Sequence, residues 1–475
     1  MTTARTATPS TARAINDRLA LELLLERGPL TASDLRTLTG LSRPTVADLL
    51  ERLQRSGLVA HAGESAALRR GPNARLYELV ADRAHLAGID IRSTGVSLVV
   101  ADLTGRTLGT ATIPATLPVL PVLPVLSEGA EGAEALAGAG AGVGFATGSG
   151  AADGVSAEGG AEGDLLVERT VEALLATAAA AGAKELHTVA VGAPGLVDPS
   201  TGTLNNSGKL PEWHTKLLAA LRSRPGTEVI LENEVNLAGI AEHRLGAARG
   251  RRDFALIWLG LGVGAAVVLD GRLRRGASGG TGEIGFLPVP GTVGLPGATK
   301  CDGGFHSLVS SAAICELAER HGLKPEPGAL GTAAGADTPE PADLEPAARP
   351  GPDGRGGAGL GADPLGGDAI EPAAEAVVRH AVEIGAEEFL EELAARIAVG
   401  ASAICVVLDP GCVVLGGEIG QAGGPDLAAR VERRLATLSP LATEVRAGTA
   451  GGGAVLAGAV LTAGDSVRRE LFGGE

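Results

Sequence analysis

The sequence predicts an α/β protein: a small helical domain closed by a β-hairpin, followed by a larger body in two lobes where strands and helices alternate. Three observations carry this. The first 80 residues repeat apolar positions at helical spacing in three short segments, then switch to a hairpin pattern. From 86 to 320, and again after 371, short apolar runs alternate with amphipathic helices. The charge is also divided. Residues 1–80 hold 11 Arg, no Lys and 8 acidic residues, whereas the whole 475-residue chain carries 40 basic and 56 acidic residues, a net of −16. A mildly basic module on an acidic body suits a domain that approaches phosphate.

Composition bounds the rest. The length suffices for two or three domains with a sizeable core. Hydrophobic residues are 45% but aromatics only 2%, so the core is built of Ala, Val, Leu and Ile. Cys301, Cys315, Cys405 and Cys412 form no C-x-x-C pair, which points to reduced, mostly buried thiols. The first 13 residues lack the apolar run of a signal peptide. No unbroken window of 18 apolar residues occurs, which argues against a membrane span and for a cytoplasmic location.

Taken in order, residues 1–12 read as a disordered tail and 13–80 as one domain. Residues 15–27 set Leu19, Leu23 and Leu24 on one helical face before the Gly28-Pro29 stop. Thr31 to Asp34 is capping chemistry for a second helix ending at Gly40. Ser42 caps a third, Arg43 to Arg55, with Val46, Leu49, Leu50 and Leu53 inward. Strands at Gly57 to Val59 and Leu76 to Leu79 flank the turn Arg69 to Asn73. Helix, helix, turn, helix and hairpin is the winged helix-turn-helix arrangement. That fold lays its third helix in the DNA major groove. The residues then placed on base edges are Ser42, Arg43 and Thr45, with Arg43 set for a guanine or a phosphate. Arg69, Arg70 and Arg75 in the wing are set for the backbone or minor groove. The bland alternative is a helical domain for protein contacts with a solvated arginine face.

Residues 86–475 read as the second domain. Strands are expected at Leu86 to Ile91, Val96 to Asp102 and Thr107 to Ile113. The repeat LPVLPVLPVL at 117–126 favours an extended left-handed coil, and 127–163 is Gly/Ala/Glu low complexity read as disordered. Helical pattern resumes at 164–181. Strands at Thr188 to Val191, Val229 to Leu231, Phe254 to Leu259 and Ala265 to Leu269 alternate with helices at Pro211 to Ser223 and Val235 to Leu245. A second biased insertion covers 323–368. After it come a long helix with a break at 371–403, strands Cys405 to Leu408 and Val413 to Leu415, and a helix after Gly451 to Gly453.

Six short motifs occur in order: Gly88-Ile89-Asp90-Ile91, Gly192-Ala193-Pro194-Gly195-Leu196-Val197-Asp198, Glu232-Asn233-Glu234-Val235-Asn236, Leu259 to Ala265 with three glycines, Gly282-Glu283-Ile284-Gly285, and Leu408-Asp409-Pro410 with Val414-Leu415-Gly416-Gly417. Together they resemble the ROK family, which groups bacterial repressors and sugar kinases on an actin-like ATPase fold. The resemblance covers about 86–320 and 371–465. It implies a sugar site at Asn233, Glu234 and Glu283, with His306 where the kinases place a sugar-binding Glu and Phe286 in place of a His. Trp213 is placed either to stack on a sugar ring or to pack.

The chain departs from the kinases of that family at three points. Their first phosphate loop reads Asp-x-Gly-Gly-Thr; here it is Asp90-Ile91-Arg92-Ser93-Thr94, with side chains in place of the glycines that let backbone amides approach phosphate. Their catalytic Asp is Glu234, whose extra methylene moves a base by about 1 Å. Their His/Cys3 zinc motif is missing: Phe286 follows Gly285, and Cys301 fits no ligand position. No metal, no cofactor and no catalytic residue are therefore expected.

These readings predict a sugar-responsive, DNA-binding transcription regulator, most simply a repressor. Its partners are operator DNA and a sugar or sugar phosphate, and it works as a homodimer or homotetramer. The alternatives are an ATP-dependent sugar kinase with an appended winged domain, and a regulator whose body only dimerises.

Overall fold

The computed structural model describes residues 9–64, 74–92, 95–115, 155–205, 212–260, 262–297, 303–323 and 372–473. The N-terminal domain comprises α1 (Pro9–Arg27), β1 (Leu30–Thr31), α2 (Ala32–Thr39), α3 (Arg43–Arg55), β2 (Val59–Glu64) and β3 (Arg75–Leu79). Its three strands run β1-β3-β2 and are antiparallel. Local chemistry sets each boundary. Thr31 and Asp34 form a reciprocal capping box at the start of α2, and Gly40 ends that helix in the left-handed conformation. Leu35 of α2 and Val46, Leu49, Leu50 and Leu53 of α3 are buried against Leu21 and Leu24 of α1. Arg52 of α3 pairs with Asp17 of α1 at 2.6 Å, fixing the two helices at one edge.

The body follows as β4 (His85–Arg92), β5 (Gly95–Asp102), β6 (Thr107–Pro114), α4 (Val155–Ala180), β7 (Thr188–Ala193), β8 (Leu196–Val197), β9 (Leu204–Asn205), α5 (Glu212–Arg222), β10 (Glu228–Asn233) and α6 (Glu234–Arg244). Then come β11 (Phe254–Leu259), β12 (Val263–Leu269), β13 (Arg272–Leu273), α7 (His306–Val309), α8 (Ser311–Arg320), α9 (Pro372–Ile384), α10 (Glu387–Leu408), β14 (Cys412–Gly416), α11 (Gly417–Leu438), β15 (Glu444–Ala447) and α12 (Ala454–Leu471).

Two five-stranded sheets organise the lobes. Sheet one runs β10-β7-β4-β5-β6, parallel from β10 to β4 and antiparallel beyond; sheet two runs β13-β12-β11-β14-β15, with β11, β14 and β15 parallel. Helices α4 and α5 cover one face of sheet one through Leu166, Leu174, Leu217 and Leu221. The last helix, α12, packs on β4 and β7 of sheet one and on α6, which in turn packs on β12 of sheet two. The lobes thus share α6 and α12. Gly458 permits that contact, because a Cβ there would collide with the carbonyl of Leu237. Sheet two buries its other face under α8 to α11. The N-terminal domain joins lobe one through a continuous apolar cluster from Leu79 and Ala84 to Val467 and Phe472, and the Leu103 N–H donates to the Ala81 carbonyl at 3.0 Å.

Three expectations need correction. Cys405 to Leu408 is the last turn of α10, not a strand. Val407 is 80% exposed there, and the helix stops only where Asp409 takes a left-handed conformation. A short apolar run has no period of its own, so packing of the preceding turns on α11 decides its state. The helix expected from 164 already begins at Val155, inside the stretch read as low complexity, and α1 begins at Pro9, inside the stretch read as a tail. Ala in both stretches, and Glu158 and Glu162 in the first, are good helix formers once a neighbouring turn is fixed. The proline repeat at 117–126 and most of the second insertion lie outside the described residues.

Candidate effector cleft and DNA interface

At the N-terminal domain, the Ser42 hydroxyl accepts from the Thr45 N–H, and the two hydroxyls lie 2.8 Å apart. Ser42 and Thr45 therefore serve the cap of α3. Arg43 stands exposed at the first position of that helix. Arg75 is exposed at the start of β3, opposite Glu64 across the hairpin. Arg69 and Arg70 lie outside the described residues.

In the body, the C-terminal ends of strands from both sheets converge, which is where open α/β sheets place ligands. From sheet one come Asp90 and Arg92, with Asn233 and Glu234 at the junction of β10 and α6. From sheet two come Glu283 and Glu418. Asp90 is buried, with 3% exposure, and its carboxylate accepts from Arg92 Nε at 2.8 Å. Burial pushes the Asp90 carboxyl up, and the Arg92 charge opposes that rise. Arg92 also donates through Nη1 to Glu418 Oε1 at 3.0 Å, across the cleft.

Asn233 is the N-cap of α6: its carbonyl oxygen accepts from the N–H groups of Val235 and Asn236. Its amide nitrogen donates to the Gly195 carbonyl at 3.2 Å and to Glu234 Oε2 at 2.9 Å. The side chain so ties strand, helix and the 192–198 turn together. Glu234 is half-buried beside it. Burial raises the Glu234 carboxyl to about 8; the charges of Asp90 and Glu283 add to the rise, and Arg92 works against it. Those shared influences place Asp90, Arg92, Glu234 and Glu283 in one electrostatic cluster.

Glu283 sits on a turn held to sheet two. Gly282 has φ +97, a Cβ there would collide with the Ala265 carbonyl, and the Gly282 carbonyl accepts from the Ala265 N–H at 2.8 Å. His306 opens α7 with its Cβ 3.5 Å from where a Cβ on Gly285 would stand, so it borders the same turn. Glu283 and His306 both make interactions inside the fold. Asn233, Glu234, Glu283 and His306 thus gather around one cleft, while Trp213 packs against Gly163 on the far side of sheet one. Cys301 lies outside the described residues, and among the described residues no group of His, Cys, Asp or Glu is spaced to hold a metal.

Sequence reasoning missed Glu418, Glu232 and Arg275. Glu232 is 4% exposed; its Oε1 accepts from Asn236 Nδ2 at 2.9 Å and its Oε2 from Arg275 Nε at 2.6 Å. Glu418 directly follows the glycine pair 416–417, the one signal that marked it.

The architecture is a winged helix-turn-helix joined to a two-lobed, kinase-like body with a charged cleft between the lobes. Residues 164–465 match the ROK family model and residues 15–71 the MarR family model. The chain belongs to the ROK family.

Among curated relatives, a glucokinase of Halalkalibacterium halodurans is 31% identical over 137 residues, which is 28% of this chain and 41% of the relative. The DNA-binding transcriptional dual regulator NagC of Escherichia coli K12 is 30% identical over 138 residues, 29% of this chain and 33% of the relative. The chain spans less than half the length of either. Among solved structures, a ROK family transcriptional regulator described as a homologue of the E. coli MLC protein superposes with a TM-score of 0.61 at 18% identity, covering 98% of this chain and 97% of the other. The ROK hexokinase of Thermus thermophilus gives 0.51 at 21% identity over 81% of this chain and 99% of its own. These likenesses establish the fold. Among the described residues, no helix is long and apolar enough to cross a membrane.

Proposed function

We propose that this chain is a sugar-responsive transcription regulator that binds operator DNA through its winged domain and a small sugar in the cleft, without kinase turnover. The carrying observation is Arg92. It stands in the stretch where the family's kinases present glycines to phosphate, and its guanidinium fills that ground by pairing with Asp90 and Glu418. Phosphoryl transfer depends on positioning above all, and an arginine committed to two carboxylates leaves no glycine-walled loop for it. The joined winged domain, the NagC relative and the MLC-like fold support the DNA-binding half.

Asn233, Glu234, Glu283 and His306 form the proposed sugar site, suited to hydroxyl groups through paired hydrogen bonds. Arg43, Ser42 and Thr45 would meet base edges, and Arg75, with Arg69 and Arg70, the phosphates. A dimer or tetramer would match two half-sites. Sugar binding changes operator affinity only if the sugar prefers one arrangement of the lobes.

One observation favours a kinase instead: a Glu234 carboxyl raised to about 8 has the basicity of a general base working near neutral pH. The deciding experiment is fluorescence anisotropy of labelled DNA from the protein's own upstream region, titrated with monosaccharides and their 6-phosphates. Salt-sensitive binding reversed by one of them is expected. Absence of DNA binding, together with sugar-dependent ATP consumption, would establish the kinase.

A further inference from the structure

The ion pair between Arg92 and Glu418 has a construction that the sugar site does not explain. Arg92 ends β4 in lobe one, and Glu418 lies in the first turn of α11 in lobe two. Asp90, two residues before Arg92 on the same face of the strand, holds the guanidinium within lobe one. Arg92 therefore keeps a partner when the lobes part, and only the Glu418 contact is broken. On opening, the guanidinium keeps Asp90, and the Glu418 carboxylate, 29% exposed, is left to solvent.

Glu418 is seated with equal care. Its second carboxylate oxygen, Oε2, lies 2.5 Å from where a Cβ on Gly260 would stand, so a side chain at 260 would displace the carboxylate from this position. Gly417, at φ +78, would meet the Leu259 carbonyl with any Cβ. The carboxylate thus lies against Gly260 at the end of β11, beside the Gly416-Gly417 pair where β14 ends and α11 begins. No side chain caps α11, and Glu418 is the acid of its first turn. A helix start and a glycine-lined strand end together make ground for an anion. In this chain, the anion is supplied by the chain itself. A second pair between the lobes joins Arg275, just after β13, to the buried Glu232 of β10.

We propose that Arg92 and Glu418 form a latch between the lobes, in which the Glu418 carboxylate occupies the anion ground at the ends of β11 and β14, so that the cleft closes on its ligand without a nucleotide. The ligand half rests on the sugar-site reading above; the latch itself does not. Arg92 and Glu418 are positioning residues that set how far the lobes open.

The test compares the full-length protein with Glu418→Gln, Arg92→Gln and the double variant. Glu418 is partly exposed, so Glu418→Gln retains the fold. In the first arm, amide hydrogen exchange is followed without ligand at 88–92 and 256–260. Glu418→Gln should speed exchange there about fivefold; Arg92→Gln, which also strips Asp90 of its partner, should speed it more, and the double variant should match Arg92→Gln, as one shared contact requires. Unchanged exchange in Glu418→Gln, or additive effects in the double variant, would overturn the latch. In the second arm, monosaccharides are titrated by calorimetry with and without magnesium AMPPNP. Wild-type affinity should be the same in both. Sugar binding that tightens about tenfold with the nucleotide analogue would show that a phosphate displaces Glu418, and overturn the proposal. If no monosaccharide binds, the sugar-site reading fails while the exchange arm still decides the latch.

Discussion

The carboxylate of Glu242, near the end of α6, accepts the backbone N–H of Thr449 at 2.8 Å, and the same oxygen accepts that of Ala450 at 2.8 Å. Its other oxygen accepts the N–H of Ala247 at 2.6 Å. One side chain, only 3% exposed, thus satisfies three backbone donors and fastens the loop before α12 to the helix that both lobes share. Glu242→Ala leaves those donors without their carboxylate partner in a buried site. It should destabilise the protein by about 3 kcal/mol, read as a lower urea midpoint at unchanged slope.

His214 lies in the core beside α4 with 2% exposure, and neither ring nitrogen has a hydrogen-bond partner among the described residues. Burial lowers its pKa from 6.5 to about 4. The folded state refuses a proton that the unfolded chain accepts below 6.5. Stability should therefore fall as pH drops from 6.5 to 4, by on the order of 3 kcal/mol over that window. His214→Leu should remove this slope. An unchanged pH profile of urea midpoints in the variant would refute the assignment.

Glu234 acts with the opposite sign. Its folded pKa is raised from 4.5 to about 8, so the fold favours the protonated form. Stability from this group is complete below 4.5 and is lost as pH rises through 8. Glu234→Gln, which keeps the amide shape of a neutral acid, should flatten the profile between pH 5 and 8 and still bind the sugar at pH 7. Loss of all binding in Glu234→Gln would show that the ionised carboxylate is what the ligand needs.

Arg43 and Arg75 should separate in their effects on DNA. Arg43→Ala should relax sequence discrimination, costing about 1–3 kcal/mol on the preferred operator and little on random DNA. Arg75→Ala should weaken every sequence alike and reduce the slope of log affinity against log salt by about 1. Arg70→Ala, in the wing outside the described residues, should behave as Arg75→Ala does. Anisotropy titrations at several salt concentrations check all three, and identical behaviour of Arg43→Ala and Arg75→Ala would overturn the division.

Gly282→Ala should disturb the cleft rather than the core. The new methyl would collide with the Ala265 carbonyl and push the 282–285 turn, with Glu283 and the bordering His306, away from sheet two. Weaker sugar binding with operator affinity unchanged is the expected pattern, measured by calorimetry and anisotropy on the same preparation.

The sequence by itself determined whatever depends on neighbours a few residues apart. Thr31, Asp34 and Gly40 bound α2, Val46 to Leu53 define the buried face of α3, and the strands at 86–113 appear where alternating apolar runs place them. These outcomes follow from caps, turns and periodicity, which act within one or two turns of chain. The motifs that hold Asn233, Glu234 and Glu283 were legible as well, because each is a short run of neighbouring residues. The tertiary structure alone decided the rest. Cys405 to Leu408 became helix because α10 packs as one unit on α11. Arg92 met Glu418 across 326 residues of chain, and Glu242 met Thr449 across 207. No local preference encodes such pairs: the strand ends and helix starts that carry these side chains are brought together only when two separate sheets pack on α6 and α12.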